Sequence, residues 1–176
     1  IRFILNPISG HKPADVADIQ AKVMAYFAQA DFQVTQAPRH ATQLAKEAAE
    51  QGFEAVVAMG GDGTINETAQ GLVNTQTALG IVPRGSGNGF ARELGLMGPL
   101  EKTLAKLQKA VIQPCDVGFA NGELFLNVAG VGIEAVIAWK FMEKGKKGNR
   151  KRAILHAAGH SAQLTSFRPS SLSPSS

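Results

Sequence analysis

The sequence predicts an open α/β sheet with helices on both faces. Three observations carry that expectation. Ala55–Met59 is an apolar run of strand length without alternation, the pattern of a strand covered on both faces in a parallel sheet. Two glycine-rich segments, Gly60–Gly63 and Gly85–Gly87, each follow such a run and precede a helical period, which is where open α/β sheets place their ligand sites. Between the strand-like runs, apolar residues recur at helical spacing.

Taken in order, Arg2–Leu5 reads as the first strand and runs into Asn6-Pro7-Ile8-Ser9-Gly10. Pro7 and Gly10 end the strand, while Asn6 and Ser9 supply hydrogen-bonding groups. Lys12, just beyond, is placed equally well to meet phosphate or water. Ala14–Ala30 is a helix by period, with Val16, Ile19, Val23 and Phe27 on one face. Phe32–Gln36 is the second strand, and Ala41–Gln51 a helix with Ala41, Leu44, Ala45 and Ala48 inward, His40 standing near its start. After the third strand, Ala55–Met59, the period over Thr64–Val73 puts Ile65, Ala69, Leu72 and Val73 on one buried face. Ala78–Val82 is the fourth strand. Gly89–Leu96 and Pro99–Ala110 are helices, the first turning Phe90, Ala91 and Leu94 inward and the second Leu100, Leu104 and Leu107. Phe119–Val128 reads as a hairpin around Asn121-Gly122, a strong two-residue turn signal. A short helix through Trp139 to Met142, a basic linker over Lys144–Arg152 and a helix over Arg152–Thr165 follow. Ser166–Ser176, with six Ser and two Pro, reads as disordered. The expected division is an α/β domain over 1–112, a piece over 113–152 that opens with the hairpin, and a tail over 153–176.

Composition narrows the class. The chain has 176 residues, 44% hydrophobic and 18% charged, which suits one packed globular domain with an appended piece. No apolar run approaches the ~18 residues of a membrane span, and no charged-then-apolar leader precedes the first strand. A chain rarely begins with Ile, so residues before Ile1 are expected. The lone Cys115 excludes an internal disulfide and reads as a small apolar strand residue in a reducing compartment. His11, His40, His156 and His160 show no zinc-like pairing, and no metal is assigned to them. Between Lys140 and Arg152 seven basic residues face Glu143 alone, a net +6, so the other 11 cations and 13 acids leave −2. This cluster suits anionic lipid headgroups and equally a solvated linker. It lacks the aromatics that stack on bases, so no nucleic acid is expected.

The chemistry concentrates in Ala55–Glu67, AVVAMGGDGTINE. Gly60, Gly61 and Gly63 lack Cβ atoms, so the backbone can turn sharply and approach a bulky ligand. The helix that follows opens at this turn, presenting unpaired N–H groups and a partial positive charge that suit an anion. Asp62 has two readings. A carboxylate beside phosphate is repulsive unless a cation or proton intervenes, which fits a magnesium-bridging or hydroxyl-activating role. Asp also commonly caps helices.

GGDGTINE, Gly60–Glu67, resembles the signature of the diacylglycerol kinase catalytic domain, shared by bacterial lipid kinases, eukaryotic diacylglycerol kinases and, more loosely, sphingosine and ceramide kinases. GGDG alone also occurs in NAD kinases and phosphofructokinases, and Asn66-Glu67 narrows the match to the lipid kinases. NPISG is similar to the family's NPxSG, which implies nucleotide contacts from Asn6, Pro7, Ser9 and Gly10. Thr35 falls where the family has a nucleotide-contacting threonine, although Thr is a common strand residue anyway. Pro83-Arg84-Gly85-Ser86-Gly87-Asn88 resembles P-x-G-[ST]-x-N, which implies roles for Gly85, Ser86 and Asn88. Gly89 departs from the Asp that many members carry there, putting in doubt whatever that Asp does. Asp116-Val117-Gly118 matches the step into the second domain, with Asp116 either in a carboxylate network around the phosphates or an ordinary strand-end residue.

The resemblance covers Arg2 to Trp139 and then fades. It implies a Rossmann-like fold of the NAD kinase and diacylglycerol kinase type, with 1–112 as the nucleotide-binding domain and 113–152 as the incomplete start of a β-rich second domain, and ATP-dependent phosphorylation of a lipid hydroxyl such as that of diacylglycerol. ATP and Mg2+ are the implied cofactors. Gly60, Gly61, Asp62, Gly63, Thr64, Ile65, Asn66 and Glu67 would form the phosphate loop, Glu67 alternatively fixing it from behind. Asp62 would be catalytic, and Asp62 with Asp116 would hold metal. A lipid substrate, a cytoplasmic location and transient contact with a membrane surface go with this reading, and a homodimer is left open. Two alternatives stand beside it: a nucleotide-binding fragment that lacks the second domain's lipid pocket and acidic pair, and an NAD kinase, against which Asn66-Glu67 and the GSGN loop argue.

Overall fold

The computed structural model describes residues 1–10, 13–120, 123–126 and 161–169. His11, Lys12, the Asn121-Gly122 turn, the helix expected through Met142, the basic cluster, His156 and His160 lie outside them. The elements are β1 (Arg2–Leu5), α1 (Val16–Tyr26), β2 (Asp31–Val34), α2 (His40–Glu50), β3 (Ala55–Gly60) and α3 (Asp62–Leu72). They continue with β4 (Ala78–Pro83), α4 (Gly89–Glu93), α5 (Leu100–Leu107), β5 (Ala110–Ala120), β6 (Glu123–Phe125) and β7 (Ser161–Pro169). The strands form one sheet of seven in the order β2-β1-β3-β4-β7-β5-β6. β2, β1, β3 and β4 run parallel, joined by helices, as the apolar runs required. All residues of β1 and β3 are buried, which explains why neither alternates.

The helices form two layers. α1 packs with α5, and Lys22 bridges them by pairing with Asp18 at 2.8 Å and Glu101 at 3.4 Å. α2 packs with α3 at closer range, because Gly71 meets the backbone of α2 directly. A Cβ there would lie 2.4 Å from the Thr42 carbonyl oxygen and 3.0 Å from the Lys46 nitrogen. Alanine gains about 1 kcal/mol in helix propensity, but overpacking against immobile backbone costs about 3 kcal/mol. Gly71→Ala is therefore expected to destabilise by about 2 kcal/mol and to lower Tm by roughly 4–8 °C in thermal unfolding.

One charge is buried at the start of β1. Arg2 is 6% exposed, pairs with Asp31, donates to the Leu44 carbonyl at 3.0 Å and Gln51 Oε1 at 3.1 Å, and lies 4.8 Å above the Phe53 ring. Its hydrogen bonds compensate its desolvation, and they tie the start of β1 to the middle of α2 and to the helix's C-cap.

Several expected boundaries move. α1 stops at Tyr26 rather than Ala30: Phe27 is the C-cap with φ −133°, and its ring packs 5.2 Å from that of Phe3. At the other end Asp15 caps the helix by accepting from the Asp18 N–H at 3.1 Å. α3 starts at Asp62, two residues before the expected Thr64. β5 and β6 form the expected antiparallel hairpin, with Gly118 opposite Phe125, but β5 begins at Ala110 and runs through position 112. The helix expected over Arg152–Thr165 and the disorder expected from Ser166 are corrected over Ser161–Pro169, which is β7. β7 inserts between β4 and β5, parallel to the first and antiparallel to the second. Among the described residues no helix is long and apolar enough to cross a membrane.

Candidate functional site

The strand order places the site. The chain leaves β1 toward β2 on one side and reaches β3 on the other, so the loops at the carboxyl ends of β1 and β3 diverge and open a crevice. Asn6 spans it. Its N–H donates to the Met59 carbonyl at 2.9 Å and its Nδ2 to Thr64 Oγ1 at 3.0 Å, joining the first loop to α3. Its Oδ1 accepts from the Ile8 N–H at 3.1 Å, and its carbonyl accepts from Ser9 Oγ at 2.8 Å. Asn6 and Ser9 thus shape the NPISG loop by bonding to protein. Pro7 contributes its carbonyl to the Ala14 N–H at 3.1 Å, and Gly10 is exposed with φ 105°. Thr35 follows β2 at the same end of the sheet, its N–H donating to the Leu5 carbonyl at 2.9 Å, with β1 between it and the glycine loop.

The two glycine loops meet. The Arg84 N–H donates to the Gly60 carbonyl at 2.8 Å. A Cβ on Gly85 would lie 2.6 Å from Gly61 Cα, and one on Gly61 3.2 Å from Gly85 Cα. A Cβ on Gly60 would fall 2.5 Å from Thr64 Cβ. The described glycines with positive φ are Gly10, Gly52, Gly95 and Gly98, so Gly60, Gly61 and Gly85 serve close approach between protein segments and not a left-handed turn. Gly63 differs, since nothing lies within 4 Å of the Cβ position it leaves open.

Asn88 holds the second loop. It is 4% exposed, left-handed at φ 50°, accepts from the Gly85 N–H at 2.9 Å and donates to the Gly85 carbonyl at 2.6 Å. Its side chain is a brace for the loop's own backbone. Asn88→Ala forfeits two hydrogen bonds at about 1 kcal/mol each and keeps a left-handed cost of about 1 kcal/mol. Stability is expected to fall by about 2–3 kcal/mol in denaturant unfolding, with Asn88→Gly recovering part because glycine tolerates that φ.

Asp62 is the first residue of α3 and exposed. The N-cap is Gly61, with no side-chain cap hydrogen bond, so the plain capping reading of Asp62 is set aside. Its Oδ2 lies 2.9 Å from where a Gly87 Cβ would stand, so the carboxylate faces the second loop. Thr64 is buried, and its hydroxyl accepts from Asn6. The Ile65 side chain, 1% exposed, points into the core, leaving only its backbone for the loop. Asn66 is half-buried and Ser86 exposed. Glu67 works from behind: its Oε2 accepts from the N–H of Arg39, the N-cap residue of α2, at 3.1 Å, and its carbonyl accepts from Thr42 Oγ1 at 2.8 Å.

The strand register separates Asp116 from this group. Asp116 stands opposite Gln163, while Ser166 stands opposite Gln113 on β5 and Leu79 on β4. Asp116 therefore sits toward the amino end of β4, and the loops leave from its carboxyl end at Pro83, roughly 20 Å away at about 3.3 Å per residue. Among the described residues no group of three or more His, Cys, Asp or Glu is placed to hold a metal ion. A single hard carboxylate still fits Mg2+, which is commonly bound by one or two carboxylates together with substrate phosphates. The structure adds residues that the periodicity did not flag. Arg84 stands at the loop junction, hinted at only by its place inside the second glycine motif, and Thr42 and Arg39 are braced by Glu67 of α3 without any local signal.

Residues 1–120 match the model of the diacylglycerol kinase catalytic domain. The diacylglycerol kinase of Bacillus subtilis is 39% identical over 140 residues, covering 74% of this chain and 45% of the relative. That of Staphylococcus saprophyticus is 28% identical over 149 residues, covering 82% and 49%. A crystal structure of a diacylglycerol kinase from Bacillus anthracis superposes with a TM-score of 0.62 at 30% identity, covering 72% of this chain and 47% of that one. The chain spans about half the length of the curated relatives it matches. The GGDGTINE loop, the second glycine loop it touches, and a family match over two thirds of the sequence agree: the chain belongs to the diacylglycerol kinase catalytic domain family.

Proposed function

We propose that this chain is the nucleotide-binding part of an ATP-dependent lipid kinase that transfers the γ-phosphate of ATP to a lipid hydroxyl such as that of diacylglycerol. The observation that carries the reading is the contact between Gly61 and Gly85, which makes one cradle of two loops over the amino end of α3. The polyphosphate would lie against the first turn of α3, where Gly63 leaves space and backbone N–H groups point outward. Asn6 and Asn88 position the two loops, and Glu67 fixes α3 against α2. Thr64, Asn66 and Ser86 supply hydrogen-bonding groups along the cradle. Asp62, facing across the cradle, would hold Mg2+ or take the proton of the attacking hydroxyl. When bound, Mg2+ supplies neutralisation of the charge that builds on the phosphate oxygens. Asp116, opposite Gln163 on β7, is given no part in this centre. Lipid recognition, a cytoplasmic site of action and contact with a membrane surface follow from the same reading.

A second reading is favoured by the coverage of the relatives: a chain that binds nucleotide but transfers no phosphate by itself. ATP consumption with magnesium tests both, comparing diacylglycerol in mixed micelles, NAD and no acceptor, with Asp62→Ala as control. Product from the lipid alone, lost in the variant, supports the kinase. No turnover alongside magnesium-dependent ATP binding supports the second reading, and turnover with NAD would replace both.

A further inference from the structure

Arg84 is a charged residue at the junction of the two loops, and the chain leaves part of its side chain unsatisfied. Its backbone N–H is committed to the Gly60 carbonyl, and its neighbour Gly85 touches Gly61. Its side-chain Nε is shut off from solvent, and no described residue offers it an acceptor. Arg84 as a whole is part-exposed, but an Nε–H closed off without an acceptor works against folding, which points to an acceptor that arrives from outside and draws the side chain to it. Charge names the kind of acceptor. Gly60–Glu67 carries Asp62 and Glu67, whereas Pro83–Asn88 carries Arg84 alone. A polyphosphate laid over the cradle these segments form adds several negative charges to two carboxylates, and Arg84 is the cation that the two loops themselves possess.

We propose that Arg84 is a phosphate ligand, its guanidinium donating to polyphosphate oxygens and fixing them beside the first turn of α3. The inference rests on the nucleotide reading above and assigns this residue to the phosphates, not to the base. A planar guanidinium suits phosphate because its N–H groups are fixed in a fork that matches two oxygens.

The test is isothermal calorimetry of wild type, Arg84→Met and Arg84→Lys with ATP, inorganic triphosphate and adenosine, together with thermal unfolding of each protein without ligand. Arg84→Met is expected to weaken ATP and triphosphate by tenfold or more and to leave adenosine unchanged. Arg84→Lys should fall between. Unliganded Arg84→Met should melt no lower than wild type, since it removes a donor that lacks a partner. Equal ATP binding in wild type and Arg84→Met overturns the assignment alone. A lower melting temperature with adenosine weakened as much as ATP makes Arg84 a structural residue and also overturns it. Failure of wild type to bind either ATP or triphosphate removes the nucleotide reading, and this inference with it.

Discussion

Replacing Asp62 by asparagine is expected to erase the magnesium dependence of ATP binding and to lower phosphoryl transfer by about 10³-fold, with the fold intact. The fold is spared because Asp62 is exposed on the first turn of α3 and its side chain makes no capping hydrogen bond. An acid at a helix amino end contributes only about 0.3–1 kcal/mol through the helix dipole, so Tm should fall by no more than about 4 °C. The effect on ATP changes sign with metal. Without magnesium the wild-type carboxylate repels phosphate by about 1 kcal/mol per charge pair at 4 Å even in bulk water, so the variant should bind metal-free ATP several-fold more tightly. With magnesium the variant lacks an anionic oxygen that the cation would use, and the order of affinities reverses. Calorimetry in EDTA and in excess magnesium measures both arms. Should the variant keep the wild-type gain from magnesium, Asp62 is not a metal partner. If transfer is nevertheless lost, activation of the attacking hydroxyl becomes its role.

The parallel half of the sheet was legible because strands covered on both faces must be apolar throughout. Phe3–Leu5, Ala55–Met59 and Ala78–Val82 announce themselves in this way, and each lies within a residue of the observed strand. The helices were legible through their buried faces, and Ile19, Val23, Leu44, Ala48, Ala69 and Leu72 all reach the core. Their ends were not, because ends depend on caps: Asp15 and Gly61 decide where α1 and α3 begin, and neither carries a periodic signal. Pairing between distant strands was invisible. β7 pairs with β4 across more than eighty positions, Leu79 to Ser166, and a Ser- and Pro-rich composition gives no local sign of it. The displacement of Asp116 from Asp62 follows from the same cause, since a residue's place on a sheet is set by register and not by its motif. Within the site, the spacing of glycines marked the loops correctly, but not what each glycine does. Gly71 packs helix on helix, Gly85 packs loop on loop, and Gly63 packs on nothing.

Gly85→Ala and Gly63→Ala are expected to move stability in opposite directions while both weaken ATP binding. At Gly85 the added methyl meets Gly61 Cα at 2.6 Å and Asn88 Oδ1 at 2.9 Å, and the first of these is backbone that no rotamer change removes. The loops must part or Asn88 must let go, at about 2–3 kcal/mol. Since a displacement of about 1 Å in a site can cost about 10²-fold, ATP binding and any turnover should fall by that order. At Gly63 the methyl meets nothing within 4 Å, and the residue lies in the first turn of α3. Alanine there gains up to about 1 kcal/mol in helix propensity, so Tm should rise by roughly 2–4 °C. The same methyl would fill the space through which, on the proposed nucleotide reading, the backbone of α3 would reach phosphate, and ATP affinity should drop by about tenfold, or about 1.4 kcal/mol. Thermal unfolding and ATP titration of the two variants side by side separate these uses of glycine. A Gly63→Ala protein that melts higher and binds ATP less tightly puts the phosphates over the first turn of α3. One that melts higher and binds ATP as before places them elsewhere in the crevice, toward the NPISG loop and Thr35.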